Sequence, residues 1–368
     1  MSTSSLDYNV TSTSEERLVK TRLQNGYDIP LYGIGNGSFY YIHIPAILCI
    51  CTSFVCAVIS IILSFKRKSY HTFFTNTWSR SERFIVYLAI CDGLFNVSHF
   101  TDHMHIVIVR DHVYPKELCE YYGFNLAVFV TSQNLMVNVV AINAFMLMYF
   151  NRHLNFGRRD WKLLLWTFGT PFIGATIAGI TGQLGTNGSF CYFDGVKGKV
   201  ANICFTTIPL LLIVIVNTIL YILTWKRIRD ETETFEKSVH DMSASMRASH
   251  RAARAMSLFV AAFFIQWWAM ALYGVWGLVD ENVPQPIFHF VTTFSNIGGC
   301  LNLGVYLLIH RQQLGKGENI STEKHTLESD GHKISHAVSK SANVSSCDVS
   351  VSENHVTGKY HAERITDV

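Results

Sequence analysis

The stretch HFTDHMH, residues 99–105, places three histidines and an aspartate within seven positions of an otherwise apolar run. Such residues can exchange protons, hold a transition metal or read a charged ligand. His99 and His103 stand four residues apart and Asp102 three after His99, so on a helix all three share one side. Two histidines and an aspartate suit zinc by type, but nothing in the sequence supplies the tight geometry zinc needs, and no metal is expected. The reading preferred is a ligand-facing polar patch of His99, Asp102 and His103, able to read acidic, amine or protonatable groups. Thr131 and His289 join them as ligand-binding candidates. Histidine changes charge near neutral pH, so signalling through such a patch would depend on pH. The plainer alternative is that Asp102 orients a histidine in a hydrogen-bonded pair between helices.

What positions these residues is a set of very apolar elements. Of 368 residues, 49% are hydrophobic and only 15% charged, against about 25% charged in ordinary globular domains. Six stretches of 20 to 31 residues (42–65, 121–151, 163–182, 201–225, 255–279 and 282–309) contain no Lys, Arg, Asp or Glu. A seventh, 84–109, is broken only by Asp92 and the opening cluster. About 20 apolar residues span a bilayer, and in lipid the backbone must bond to itself as helix. The fold class expected is an all-α membrane protein, a seven-transmembrane helix bundle with disordered tails. Its parts are an extracellular tail (1–39), the bundle (40–310) and a cytoplasmic tail (311–368).

Lys and Arg in short loops set orientation. Sixteen fall in the loops after helices one, three and five, and four in those after helices two, four and six. The amino terminus is therefore expected outside, the carboxyl terminus inside, and the chain in the plasma membrane. Residues 1–38 lack the apolar core of a signal peptide, so helix one would serve as its own uncleaved signal. Glycosylation sequons at Asn9, Asn36 and Asn187 fall on the outer side. Six of nine cysteines lie within spans and Cys347 in the inner tail. Cys119 and Cys191 alone face an oxidising compartment, so they are expected to be bridged.

Polar residues recur at helical spacing on three helices. Asp92, Asn96, His99 and His103 form one face of helix two. Thr131, Asn134 and Asn138 do so on helix three, and Thr292, Ser295, Gly299, Asn302 and Tyr306 on helix seven. These faces must turn toward one another, away from lipid. Asp92, Asn134, Asn138, Ser295, Asn302 and Tyr306 are read as an internal polar network that holds water or an ion, much of it helix-to-helix glue.

Seven helices, an outer amino terminus and a cysteine pair joining helix three to the second outer loop resemble the G-protein-coupled receptor superfamily over residues 40–310. LAICD (88–92) resembles its helix-two motif, and Asn302-Leu303-Gly304-Val305-Tyr306 its helix-seven motif, with Leu303 where Pro would stand. Trp166 with Pro171 resembles a helix-four pattern. Asn143-Ala144-Phe145 replaces Asp-Arg-Tyr, and QWWAM (266–270) replaces Cys-Trp-x-Pro. With GGCLN (298–302) and CYF (191–193), these departures look closer to the cyclic-AMP-receptor-like group. Residues 286–310 hold no lysine, unlike opsins, and residues 1–39 no cysteine, unlike secretin-like and frizzled receptors.

The resemblance implies an extracellular ligand, a heterotrimeric G protein at the inner face and arrestin at the tail. Arg152, Arg227, Arg247, Arg251 and Arg254 are the expected G-protein contacts; the last three, at offsets 0, +4 and +7, share one helix face. Membrane lipids could hold the same charges. The terminal Thr366-Asp367-Val368 suits a PDZ groove. With no P-loop, nucleophile elbow, HExxH or CxxC, neither an enzyme nor a cofactor is expected, and the positive charge follows topology rather than nucleic acid. The competing reading is a transporter or proton-linked channel, motivated by Asp92, His99, Asp102 and His103 on one helix.

Overall fold

The computed structural model describes residues 23–35, 37–75, 77–237, 244–279 and 284–310. Asn9, Asn36 and the whole inner tail lie outside the described residues. Seven helices are long and apolar enough to cross a membrane. They are α1 (Phe39–Arg67), α2 (Arg80–Val109), α3 (Lys116–Phe150), α4 (Arg158–Ile180), α5 (Lys199–Asp230), α6 (Ala253–Trp276, within a helix running Ala244–Val279) and α7 (Pro286–His310).

Local chemistry sets several ends. Ser79 opens α2 with a reciprocal cap: its Oγ accepts the Glu82 N–H at 3.3 Å while the Glu82 carboxylate accepts the Ser79 N–H at 2.7 Å. Asn151, left-handed at φ +50°, closes α3, a conformation its short polar side chain tolerates.

The burial pattern is inverted relative to a water-soluble bundle. On α5, Leu212, Ile215, Ile219 and Ile222 are exposed, while Asp92, Asn143 and Asn217 are buried inside. An apolar exterior around a polar interior is stable in hydrocarbon, where there is no water to reward exposed charge. Sixty-one per cent of the α2 and α3 spans is buried against 28% for α1, α4 and α5. α2 and α3 are therefore the axis of the bundle, and the other three face lipid over most of their surface.

At one end of the bundle, β1 (Leu184–Thr186) and β2 (Cys191–Phe193) form an antiparallel hairpin with Gly185 opposite Tyr192. Cys119 of α3 is bridged to Cys191, as expected from the sequence. The segment just before α1 is built onto this hairpin. Gly26 N–H donates to Asp194 Oδ2 at 2.8 Å, and Tyr32 N–H to the Gly188 carbonyl at 2.8 Å. Buried His112 reaches the Ile29 carbonyl at 2.9 Å and Thr186 Oγ1 at 3.1 Å. These hydrogen bonds order the cap together with an apolar cluster in which Leu31, Phe39, Ile106 and Val113 are buried with the disulfide.

Candidate functional site

Beneath the hairpin lies a partly open cavity, about 380 Å³ with its open mouth included. Phe190 and Tyr192 of the hairpin roof it, and Phe95 and His99 of α2 with Leu126 and Val130 of α3 form one wall. Trp267 and Met270 of α6 and Val291, Thr292 and Ser295 of α7 complete it. A π turn over Ile203–Thr207 widens α5, and Thr206 within it meets the Tyr192 hydroxyl at 2.8 Å. Burial pushes the Tyr192 phenol up to about 12, so it stays neutral at physiological pH.

Of the five residues expected to face a ligand, the cavity wall takes His99. Asp102 is turned to the hairpin, where its Oδ2 accepts the Cys191 N–H at 2.9 Å. Thr131 is half-buried on α3, and His289 on the outer part of α7. His103 is fully buried behind His99. The pair of Asp102 with a histidine is replaced by a chain of histidines. His43 Nδ1 lies 2.7 Å from His103 Nδ1, and His103 Nε2 lies 3.0 Å from His99 Nε2. His99 Nδ1 lies 2.9 Å from Asn296 Oδ1.

The direction of this chain follows from its inner end. Asn296 Nδ2 donates to the Thr292 carbonyl at 2.5 Å, leaving Oδ1 as acceptor, so His99 Nδ1 carries a proton. In neutral rings the pattern then propagates: His103 donates from Nε2 to His99, and His43 donates from Nδ1 to His103. The chain ties α1, α2 and α7 together.

Below the cavity a second network surrounds Asp92. Gln133 Nε2 donates to Asp92 Oδ1 at 2.7 Å and Asn302 Nδ2 to Oδ2 at 2.6 Å. Gln266 Nε2 donates to Gln133 Oε1 at 3.3 Å and to the Ser295 carbonyl at 3.1 Å. α2, α3 and α7 thus meet at one carboxylate, with α6 joined through Gln133, and both carboxylate oxygens are hydrogen-bonded as a buried polar group requires. Ser53 Oγ forms a parallel joint, accepting from Asn96 Nδ2 at 3.0 Å and from the Gly299 N–H at 2.9 Å. Both glycines of Gly298-Gly299 are demanded by close approach. A Cβ on Gly298 would stand 2.6 Å from Asp92 Oδ1 and 2.5 Å from Gln266 Nε2, and one on Gly299 would strike the Ser53 carbonyl.

Other expected network residues go elsewhere. Asn138 Nδ2 donates to Asn217 Oδ1 of α5 at 2.9 Å, and Tyr306 stacks near His310. Asn134 is buried on α3, with no hydrogen-bond partner among the described residues for its Oδ1. Gln133, Gln266, Ser53, His43, Asn296 and Trp267 went unassigned in the sequence. Gln133 and Gln266 are uncharged polar residues inside spans, and that was their available signal.

At the end of the bundle opposite the hairpin, Asp160 accepts from Arg83 Nε at 2.7 Å and from the Tyr87 hydroxyl at 3.0 Å. Asn143 Oδ1 accepts the Leu154 N–H at 3.0 Å, so Asn143 braces the loop between α3 and α4. Arg152 follows the left-handed Asn151, its N–H donating to the Met146 carbonyl at 3.3 Å. Arg227 lies over the Tyr149 ring, 5.9 Å from its centroid. Arg254 is exposed at the inner end of α6, on the same helix as Arg247 and Arg251. Asn187 is half-buried in the hairpin turn, its Oδ1 accepting the Ser189 and Phe190 N–H groups at 3.0 and 3.1 Å.

Seven spanning helices around a polar core, with a disulfide-pinned hairpin over a cavity, define a multi-pass membrane protein with the rhodopsin-like seven-transmembrane fold. A solved structure described as "Crystal structure of squid rhodopsin" is similar at a TM-score of 0.59 and 16% sequence identity, covering 73% of this chain and 77% of that one. At that identity the likeness is one of fold. No protein-family model and no curated protein matches the sequence.

Proposed function

We propose that this chain is a plasma-membrane receptor that passes an extracellular ligand signal to a heterotrimeric G protein. The observation that carries the reading is a pair of neighbours on α6. Trp267 lines the cavity, and Gln266 beside it is bonded into the Asp92 network. A ligand that shifts Trp267 must act on the helix that also holds the network, and the inner end of that helix carries Arg254. A two-state rearrangement of α6 relative to α3 and α7 would connect the two faces.

Under this proposal the hairpin face is outside, with residues 1–39 as outer tail, 40–310 as receptor domain and 311–368 as inner tail. Asn9, Asn36 and Asn187 are then glycan acceptors. Arg152, Arg227, Arg247, Arg251 and Arg254 ring the G-protein cleft. Arrestin and a PDZ protein are the proposed partners of the tail. Asn143-Ala144-Phe145, GGCLN and CYF support a place near the cyclic-AMP-receptor-like group. Expressing the full chain in cells with sensors for each Gα class, alongside proton-flux measurement in vesicles, tests the reading. G-protein activation without flux supports the receptor; flux without activation supports the transporter or channel.

A further inference from the structure

The cavity wall contains five side chains able to make hydrogen bonds, His99, Tyr192, Trp267, Thr292 and Ser295, and all but the Trp267 indole are bonded to other protein groups. His99 spends Nδ1 on Asn296 and Nε2 on His103, leaving carbon edges and a ring face toward the space. Thr292 Oγ1 donates to the Phe288 carbonyl at 2.9 Å, and Ser295 Oγ to the Val291 carbonyl at 2.6 Å. A hydroxyl that bonds its own helix has used its only proton. The Tyr192 hydroxyl is paired with Thr206. Phe190, in the roof, has both backbone groups engaged with Asn187.

Among the described residues, no Lys, Arg, Asp or Glu stands in this wall. Asp92 is held below by Gln133 and Asn302, and Asp102 above by Cys191. A carboxylate or phosphate entering here would find no cation among the described wall residues, and only neutral donors, the Trp267 indole N–H first among them. An ammonium would find no counter-ion. Either would exchange full hydration for a few neutral hydroxyl, indole and aromatic contacts with no opposite charge, an unfavourable trade for a buried ion. What the wall offers is aromatic and aliphatic surface from Phe95, Leu126, Val130, Phe190, Trp267 and Met270.

We infer that the ligand is an uncharged, predominantly hydrophobic small molecule, with His99 serving as a neutral apolar wall element and not as a charge reader. This rests on the proposal that the cavity is the ligand site. It replaces the polar, charge-reading patch expected from the HFTDHMH spacing. That spacing brings the right residues near the cavity, but their nitrogens and oxygens face each other and the hairpin.

The test uses purified full-length chain in detergent and three matched probes: bromonaphthalene, bromonaphthoate and bromonaphthylmethylammonium. The readout is the thermal unfolding midpoint of wild type and of Leu126→Trp, which fills the cavity, with Val291→Phe as a second filling variant should the first fail to fold. The neutral probe should raise the wild-type midpoint saturably, by about 2–4 °C. That shift should vanish in the filled variant, and the two charged probes should give none. A charged probe that stabilises the wild type but not the filled variant would keep the site and overturn the ligand class. Absence of any probe effect, or a neutral shift that survives filling, would overturn both the class and the cavity as ligand site.

Discussion

Asp102 of α2 accepts the backbone N–H of Cys191 at 2.9 Å, so the residue whose sulfur is bridged to Cys119 is also gripped through its main chain. The hairpin is held to two different helices, α2 and α3, at a single position. A loop fixed this way works as a permanent roof over the cavity.

Removing the acceptor should therefore loosen the roof. Asp102→Leu leaves the Cys191 N–H buried without a partner, a loss of about 1–3 kcal/mol. Asp102→Asn keeps an oxygen acceptor and should cost less. Unfolding midpoints in the order wild type, Asn, Leu support the contact; equal midpoints for Asn and Leu would refute it.

The disulfide should behave as a unit. Cys119→Ala and Cys191→Ala should each lose about 2–4 kcal/mol. The double variant should be no worse than either single, because both remove the same bond. Additive losses in unfolding or surface expression would show that the two do not act together.

Gly298→Ala and Gly299→Ala should differ in kind. At Gly298 the new methyl meets the ends of the Asp92 and Gln266 side chains, which can shift, so the fold should survive at a cost of about 1–3 kcal/mol while basal signalling changes. At Gly299 it meets the Ser53 backbone carbonyl, which has no such freedom, and folded yield should collapse. Surface expression beside basal G-protein activation separates the two outcomes.

The histidine chain makes a spectroscopic prediction. With nitrogen-15-labelled histidine, His99 and His43 should carry their proton on Nδ1 and His103 on Nε2. Single-histidine substitutions assign the signals. His99 in the Nε2–H form would reverse the chain and break the argument from Asn296.

The spans were legible because charge-free length is a one-dimensional property that lipid enforces, and the disulfide because topology left Cys119 and Cys191 as the outer pair. Helical spacing placed Asp92 and Asn302 on inward faces, and they do meet. Partners were less legible, because they depend on how each helix is rotated against its neighbours. Asn138 reaches α5 through Asn217, while Gln133, one place before the stripe residue Asn134, reaches Asp92. His43, a lone histidine in an apolar helix, carried no sign of joining His103. Asp102 looked like a partner for His99 at three-residue spacing, but the hairpin, 89 residues further on, claims it.

The most direct test of the account is nucleotide exchange on purified heterotrimers of each Gα class, driven by the full chain in lipid nanodiscs, for wild type and Gln266→Leu. Gln266 links the cavity helix to the Asp92 network through Gln133 and the Ser295 carbonyl. The account predicts exchange above empty nanodiscs for at least one class, with the variant's rate shifted several-fold from wild type at equal folded protein. Exchange no faster than empty nanodiscs with every class, for wild type and variant alike, would contradict it.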